Sequence, residues 1–168
     1  MAEQKSILQE YDRYISALFA SEDDALKSAR SQMQREGMPE INVSASSGKL
    51  LQVLARIIGA HRILEIGTLG GYSTIWLARG MATGGSLITL EANPRHAEVA
   101  RLNIARAGFA DRVEVRIGPA RDTLPQLATE GRSPFDLIFI DADKENYAEY
   151  LGFRAIEQWA KTSNMVPV

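Results

Sequence analysis

Arg62-Ile63-Leu64-Glu65-Ile66-Gly67-Thr68-Leu69-Gly70-Gly71-Tyr72-Ser73 is the stretch on which the fold turns. Its apolar run Arg62–Ile66 stops at Gly67 and reads as a β-strand, whereas Tyr72–Arg79 returns to helical spacing. Glycines at the junction permit a tight turn and let a ligand approach the backbone closely. The helix that follows would offer free N–H groups to an anion, with the Ser73 hydroxyl nearby. A turn that only reverses the chain would use the same glycines, so this segment alone leaves both readings open.

Working downstream, the pattern repeats. Leu87–Glu91 is a second strand, and Pro94 opens a helix that runs to about Ala107 before Gly108. Val113–Ile117 is a third strand, Asp122–Ala128 a helical stretch, Phe135–Asp141 a fourth strand, and Asn146 begins another helix. Strands alternating with helices imply a mainly parallel sheet covered on both faces, a doubly wound α/β fold. Upstream the spacing predicts three helices. Residues 4–20 carry Ile7, Leu8, Tyr11, Ile15, Leu18 and Phe19 on one stripe. A second helix starts at the cap Ser21–Asp24, runs to Arg35 and ends at Gly37-Met38-Pro39. A third, 46–58, should bury Leu50, Leu51, Leu54, Ile57 and Ile58. The chain then divides into helices over 1–60, a core over 61–151 and a tail over 152–168, all within a single domain.

Composition narrows the function. The 168 residues are 45% apolar, enough for a sizeable core. A net charge of −2 argues against a nucleic-acid scaffold. There are no cysteines, so neither disulfides nor thiolate metal sites arise, which fits a reducing cytoplasm. Neither a signal peptide nor a membrane-spanning run is visible, and the expected location is cytoplasmic.

In doubly wound sheets, ligands bind beyond the carboxyl ends of the strands. Glu91 ends the second strand about twenty residues after the turn, where an acid can accept from two ribose hydroxyls. Dinucleotide sites space their glycines G-x-G-x-x-G, but here the order is G-x-x-G-G. A nucleoside joined to an amino acid, without phosphate, fits better than a nicotinamide cofactor. Asp141-Ala142-Asp143-Lys144 ends the fourth strand. Its carboxylates suit a hard cation such as Mg²⁺, and its lysine could serve as a base, although a plain helix-capping loop has the same composition. His61 and His96 lack metal-pair spacing and read as structural or solvated, Trp76 and Trp159 as core. Tyr72 could touch a ligand or pack.

LEIGTLGGYSTIWLA, ITLEANPRHAEVARLNIARAG, DRVEVRIGPARDTLP and FDLIFIDADKENYAEYL occur in one register, preceded by INVSASSGKLL. Over residues 10–151 the chain resembles the cation-dependent O-methyltransferases, similar to catechol and caffeoyl-CoA O-methyltransferases. The resemblance implies a Rossmann-like methyltransferase sheet and S-adenosylmethionine as methyl donor. It places Val43, Glu65, Gly67, Thr68, Tyr72, Ser73, Glu91, Ala120, Asp141 and Asp143 at the cofactor, with Ser73 at its methionine end, Glu91 at the ribose and Ala120 at the adenine. It implies Asp141 as a ligand of a divalent metal, Mg²⁺, with Asp141 and Lys144 in the catalytic roles. It further implies a small aromatic hydroxyl as acceptor and a homodimer.

After Leu151 the resemblance breaks. The family continues with a fifth strand ending in Asp-Asn, which supplies further metal ligands, and then an antiparallel strand pair. Gly152–Lys161 reads instead as a helix bearing Phe153, Ile156 and Trp159, and Asn164 has no matching context. The C-terminal strands are therefore expected to be missing, through a fragment or an absent segment. The alternative is a natural short form that binds the cofactor without catalysis.

Overall fold

The computed structural model describes residues 2–132, 134–142 and 150. The helix expected from Asn146, the tail helix, and Asp143, Lys144, Trp159 and Asn164 lie outside the described residues.

Three helices come first: α1 (Ala2–Phe19), α2 (Asp24–Arg35) and α3 (Ala45–Ile57). Then β1 (Arg62–Ile66), α4 (Tyr72–Gly80), β2 (Ser86–Glu91), α5 (Pro94–Arg106), β3 (Val113–Ile117), α6 (Ala120–Thr129) and β4 (Leu137–Ile140) alternate. The four strands form one parallel sheet in the order β3-β2-β1-β4. The chain steps outward from β1 to β3 and then returns to the other side of β1. The order therefore reverses between β1 and β4, and a crevice opens there at the strands' carboxyl ends.

Alternation along the strands assigns their side chains to two layers. Ile63 and Leu87 face a core completed by Leu26, Met33, Ile75, Trp76 and Ile104 from α2, α4 and α5. Leu64, Ile66, Ile88 and Leu90 face a second core with Leu124 and Leu127 of α6, Phe135 and Tyr150. Burial on both faces is why these strands read as continuous apolar runs.

Short polar side chains set the helix starts. Asp23 caps α2 by accepting from Leu26 N–H at 3.1 Å. Ser44 caps α3 through Ser47 N–H at 3.2 Å, and Asn93 caps α5 through Arg95 N–H at 3.0 Å, with Pro94 at the first helical position. Asp136 does comparable work for the sheet. Its carboxylate accepts from the N–H groups of both His61 and Arg62 at 2.8 Å, and its own N–H donates to Arg62 O at 2.8 Å. One side chain thus pins the start of β1 to the start of β4, which explains why β4 begins at Leu137 and not at Phe135.

The N-terminal helices pack differently from the expectation. Helix α3 buries Gly48 and Ala55, while Leu50, Leu54, Ile57 and Ile58 are exposed and Leu51 is half-buried. The reason is close approach. A Cβ at Gly80 of α4 would stand 2.7 Å from Ala55 Cβ, and one at Gly48 would run into the Trp76 ring. Small residues let α3 lie almost backbone to backbone against α4, and the large apolar side chains point away. Helix α1 likewise exposes Ile7, Tyr11, Ile15, Leu18 and Phe19. It is tied to the start of α3 by Asp12, which accepts from the hydroxyls of Ser44 (2.9 Å) and Ser46.

Candidate functional site

The turn after β1 is built on backbone conformations that side chains resist. Gly67 and Gly71 have φ of 94° and 83°, and Leu69, with φ 51°, is a non-glycine residue held in the left-handed region. A Cβ at Gly67 would collide with the Asp141 carbonyl oxygen, so only glycine fits where the ends of β1 and β4 meet. Asp141 N–H donates to Ile66 O at 2.8 Å, and Gly67 N–H to Leu90 O at 2.9 Å, which joins the three strand ends. From above, Met33 of α2 rests on Gly70, where a Cβ would meet its side chain. From α5, Asn103 Nδ2 donates to Gly70 O at 2.9 Å.

Two carboxylates brace this turn from beneath. Glu65 is fully buried and accepts from the hydroxyls of Ser73 (2.6 Å), Thr74 (2.5 Å) and Thr89 (2.6 Å). The Thr68 hydroxyl contacts that of Thr89 and extends the network. Burial pushes the Glu65 carboxyl up to about 7; the three hydroxyls oppose that rise, and the charge on Asp141 adds to it. Glu91 sits at the crevice wall. Its Oε2 accepts from Thr68 N–H at 3.3 Å and Leu69 N–H at 2.8 Å, and its Oε1 from Asn93 N–H at 2.9 Å. Backbone donors therefore hold the carboxylate in one orientation, with acceptor capacity left on both oxygens.

Above these groups lies a cleft of about 850 Å³, within the size range of small-molecule sites. Val43, Gly67, Thr68, Ser73, Glu91, Ala120 and Asp141 line it. Asp143 and Lys144 lie outside the described residues. Two other expected contacts are corrected by the geometry. Tyr72 does not line the cleft; it is buried edge-on against Trp76, and its hydroxyl donates to Glu22 at 2.7 Å. The Glu65 carboxyl lies under the turn, not in the cleft, and reaches it through Ser73. Conversely, the α2–α3 loop residues Ile41 and Asn42 line the cleft, as does His96, which reads from the sequence as structural or solvated. For His96 the legible signal was its place in the first turn of α5, five residues after Glu91. Among the described residues, no three His, Cys, Asp or Glu side chains are grouped to hold a metal ion.

Fold and site together define a parallel α/β domain with a cleft at the carboxyl ends of its strands, bordered by Glu91 and by the glycine turn. The chain belongs to the O-methyltransferase family, whose model matches residues 15–162. It is 53% identical over 154 residues to a catechol O-methyltransferase of Niastella koreensis, covering 92% of this chain and 67% of that one. It is 54% identical over 149 residues to a catechol O-methyltransferase of Mycobacterium tuberculosis, covering 89% and 64%. The chain thus spans about two thirds of the length of these relatives. The O-methyltransferase of Bacillus cereus in complex with SAH superposes with a TM-score of 0.82 at 46% identity, over 93% of this chain and 79% of that one. The O-methyltransferase TomG of Streptomyces achromogenes, in complex with SAM, gives 0.82 at 45% identity, over 88% and 66%.

Proposed function

We propose that this chain is the cofactor-binding core of an S-adenosylmethionine-dependent O-methyltransferase that acts on a hydroxyl of a small, catechol-like aromatic acceptor with help from a divalent cation such as Mg²⁺. The observation that carries the reading is the Glu91 carboxylate, fixed by three backbone N–H groups at the wall of a cleft whose floor is the glycine turn. That arrangement suits a ribose diol. The complexes of its relatives with SAH and SAM, and the catechol substrate in the names of two others, support the same assignment.

In this reading Glu91 accepts from the ribose hydroxyls. Ala120, at the first position of α6, leaves room for the adenine. Ser73 donates to Glu65, so its oxygen lone pairs are free to accept from the ammonium group of the methionine arm. Val43 and the turn backbone close the remaining sides. Bound there, S-adenosylmethionine supplies an electrophilic methyl group. An acceptor phenol ionises only near pH 10, about as tyrosine does, so it needs both a base and a held orientation. Asp141, at the cleft edge, is the described residue placed to approach a cation; Asp143 and the proposed base Lys144 rest on the resemblance. No donor set for the cation is assembled among the described residues.

A second reading, motivated by the missing Asp-Asn match after Leu151, is a chain that binds the cofactor without turning it over. Calorimetry with S-adenosylhomocysteine tests the shared part, and absence of binding at millimolar ligand would overturn both readings. Methyl transfer from S-adenosylmethionine to catechol by the 168-residue chain would remove the binding-only reading. Activity that survives both chelation and Asp141→Ala would remove the cation.

A homodimer and a cytoplasmic location complete the proposal. The dimer is supported by the apolar faces of α1 and α3, which carry Tyr11, Phe19, Leu54 and Ile57 into solvent. Among the described residues no helix is long and apolar enough to cross a membrane. The absence of cysteine suits a reducing compartment.

A further inference from the structure

His96 is the third residue of α5, and its side chain, 21% exposed, lines the cleft beside Glu91. Its Nδ1 stands 3.7 Å from Glu91 Oε1, too far for a hydrogen bond. The imidazole makes no hydrogen bond to any described residue. Two ordinary roles for it fail on geometry. A solvated helix residue would face bulk water and not a cleft. A side chain at this helix position can reach back to the N–H of the capping residue, but Asn93 N–H already donates to Glu91 at 2.9 Å.

What remains is an unspent hydrogen-bonding ring next to an acceptor-only carboxylate. A ribose hydroxyl is complementary to such a pair, because it donates one proton and accepts on its oxygen. Glu91 can take the proton, but as an acceptor it cannot satisfy the oxygen. We propose that His96 recognises the ribose, donating a ring N–H to one of the two vicinal hydroxyls from which Glu91 accepts. The inference rests on the cofactor assignment above and extends it from one residue to a matched acceptor and donor.

The test is calorimetry of the whole chain with S-adenosylhomocysteine and with its 2′-deoxy and 3′-deoxy analogues. The variants are His96→Phe, which keeps the ring area, and His96→Gln, which keeps an N–H donor. Loss of one neutral hydrogen bond should weaken S-adenosylhomocysteine about five- to tenfold in His96→Phe, and His96→Gln should recover most of that loss. Against the deoxy analogue that lacks the contacted hydroxyl, His96→Phe and the unaltered chain should bind alike, as a coupled pair requires. Equal weakening of all three ligands by His96→Phe would mean a structural role and overturn the proposal, as would no weakening of any. Failure of the unaltered chain to bind S-adenosylhomocysteine would overturn the cofactor assignment itself, so the two failures are distinguishable.

Discussion

Replacing Glu65 by glutamine should make the chain's stability respond less to pH, in a direction set by burial. The carboxyl is raised in the folded protein from 4.5 to about 7 because it is fully enclosed, and in the unfolded chain it ionises at its ordinary value. Between those two values the folded state therefore holds more protons than the unfolded state, so stability falls as pH rises through that window and levels off above it. Over the interval from pH 5 to pH 8 the loss specific to Glu65 is on the order of 2 to 3 kcal/mol. The glutamine amide keeps the shape. Its oxygen can accept as the carboxylate does, and the hydroxyls of Ser73, Thr74 and Thr89 can rotate to take its N–H groups. It carries no ionisation term. Urea denaturation of both proteins at a series of pH values measures the difference directly. Glu65→Gln should gain on the unaltered chain by roughly 2 kcal/mol or more from pH 5 to pH 8. Parallel stability curves would refute the reasoning, because they would mean that the three hydroxyls stabilise the ionised form as well as water does.

Three further outcomes are expected. Gly67→Ala places a methyl group against the Asp141 carbonyl at a φ of 94°, and should cost about 3 kcal/mol or more in urea denaturation and abolish S-adenosylhomocysteine binding in calorimetry. Asp136→Ala strips an acceptor from two backbone N–H groups at the start of β1, and a loss of about 2 kcal/mol in the same denaturation assay would follow, with Asp136→Asn recovering part of it. The double substitution Leu54→Glu and Ile57→Glu changes exposed positions of α3; if that face joins two copies, sedimentation should shift to the monomer with S-adenosylhomocysteine affinity unchanged.

The layout of the core was legible because both faces of the sheet are covered, and strands buried on two sides announce themselves as apolar runs bounded by glycine and acid. The start of β4 was not, since Phe135 continues the apolar run while the Asp136 carboxylate accepts from the N–H groups of His61 and Arg62. The face of α3 was misread for a different reason. Periodicity locates an apolar stripe but does not say whether a stripe of leucines or one of glycine and alanine meets the neighbouring helix. Among the site residues, those that make the turn or end a strand were readable, because glycine conformations and strand-end acids have local signatures. Tyr72 adjoins the turn in sequence, yet the first turn of α4 carries its ring toward Trp76 and Glu22. His96 read as structural or solvated because its place beside Glu91 depends on that carboxylate being held by three backbone donors, which no spacing reveals.

The contact between α3 and α4 divides the apolar residues of α3 into two groups under opposite rules. At Gly48, Ala55 and Gly80 a single added methyl group meets the facing helix, so size is constrained from within the chain. At Leu50, Leu54, Ile57 and Ile58 the side chains are exposed, and the described domain limits their volume and shape far less. Relatives of this chain should therefore keep the small positions small whatever they assemble with, while the large positions drift with the company each protein keeps. A family alignment sorted by quaternary structure would separate the two groups without any reference to catalysis.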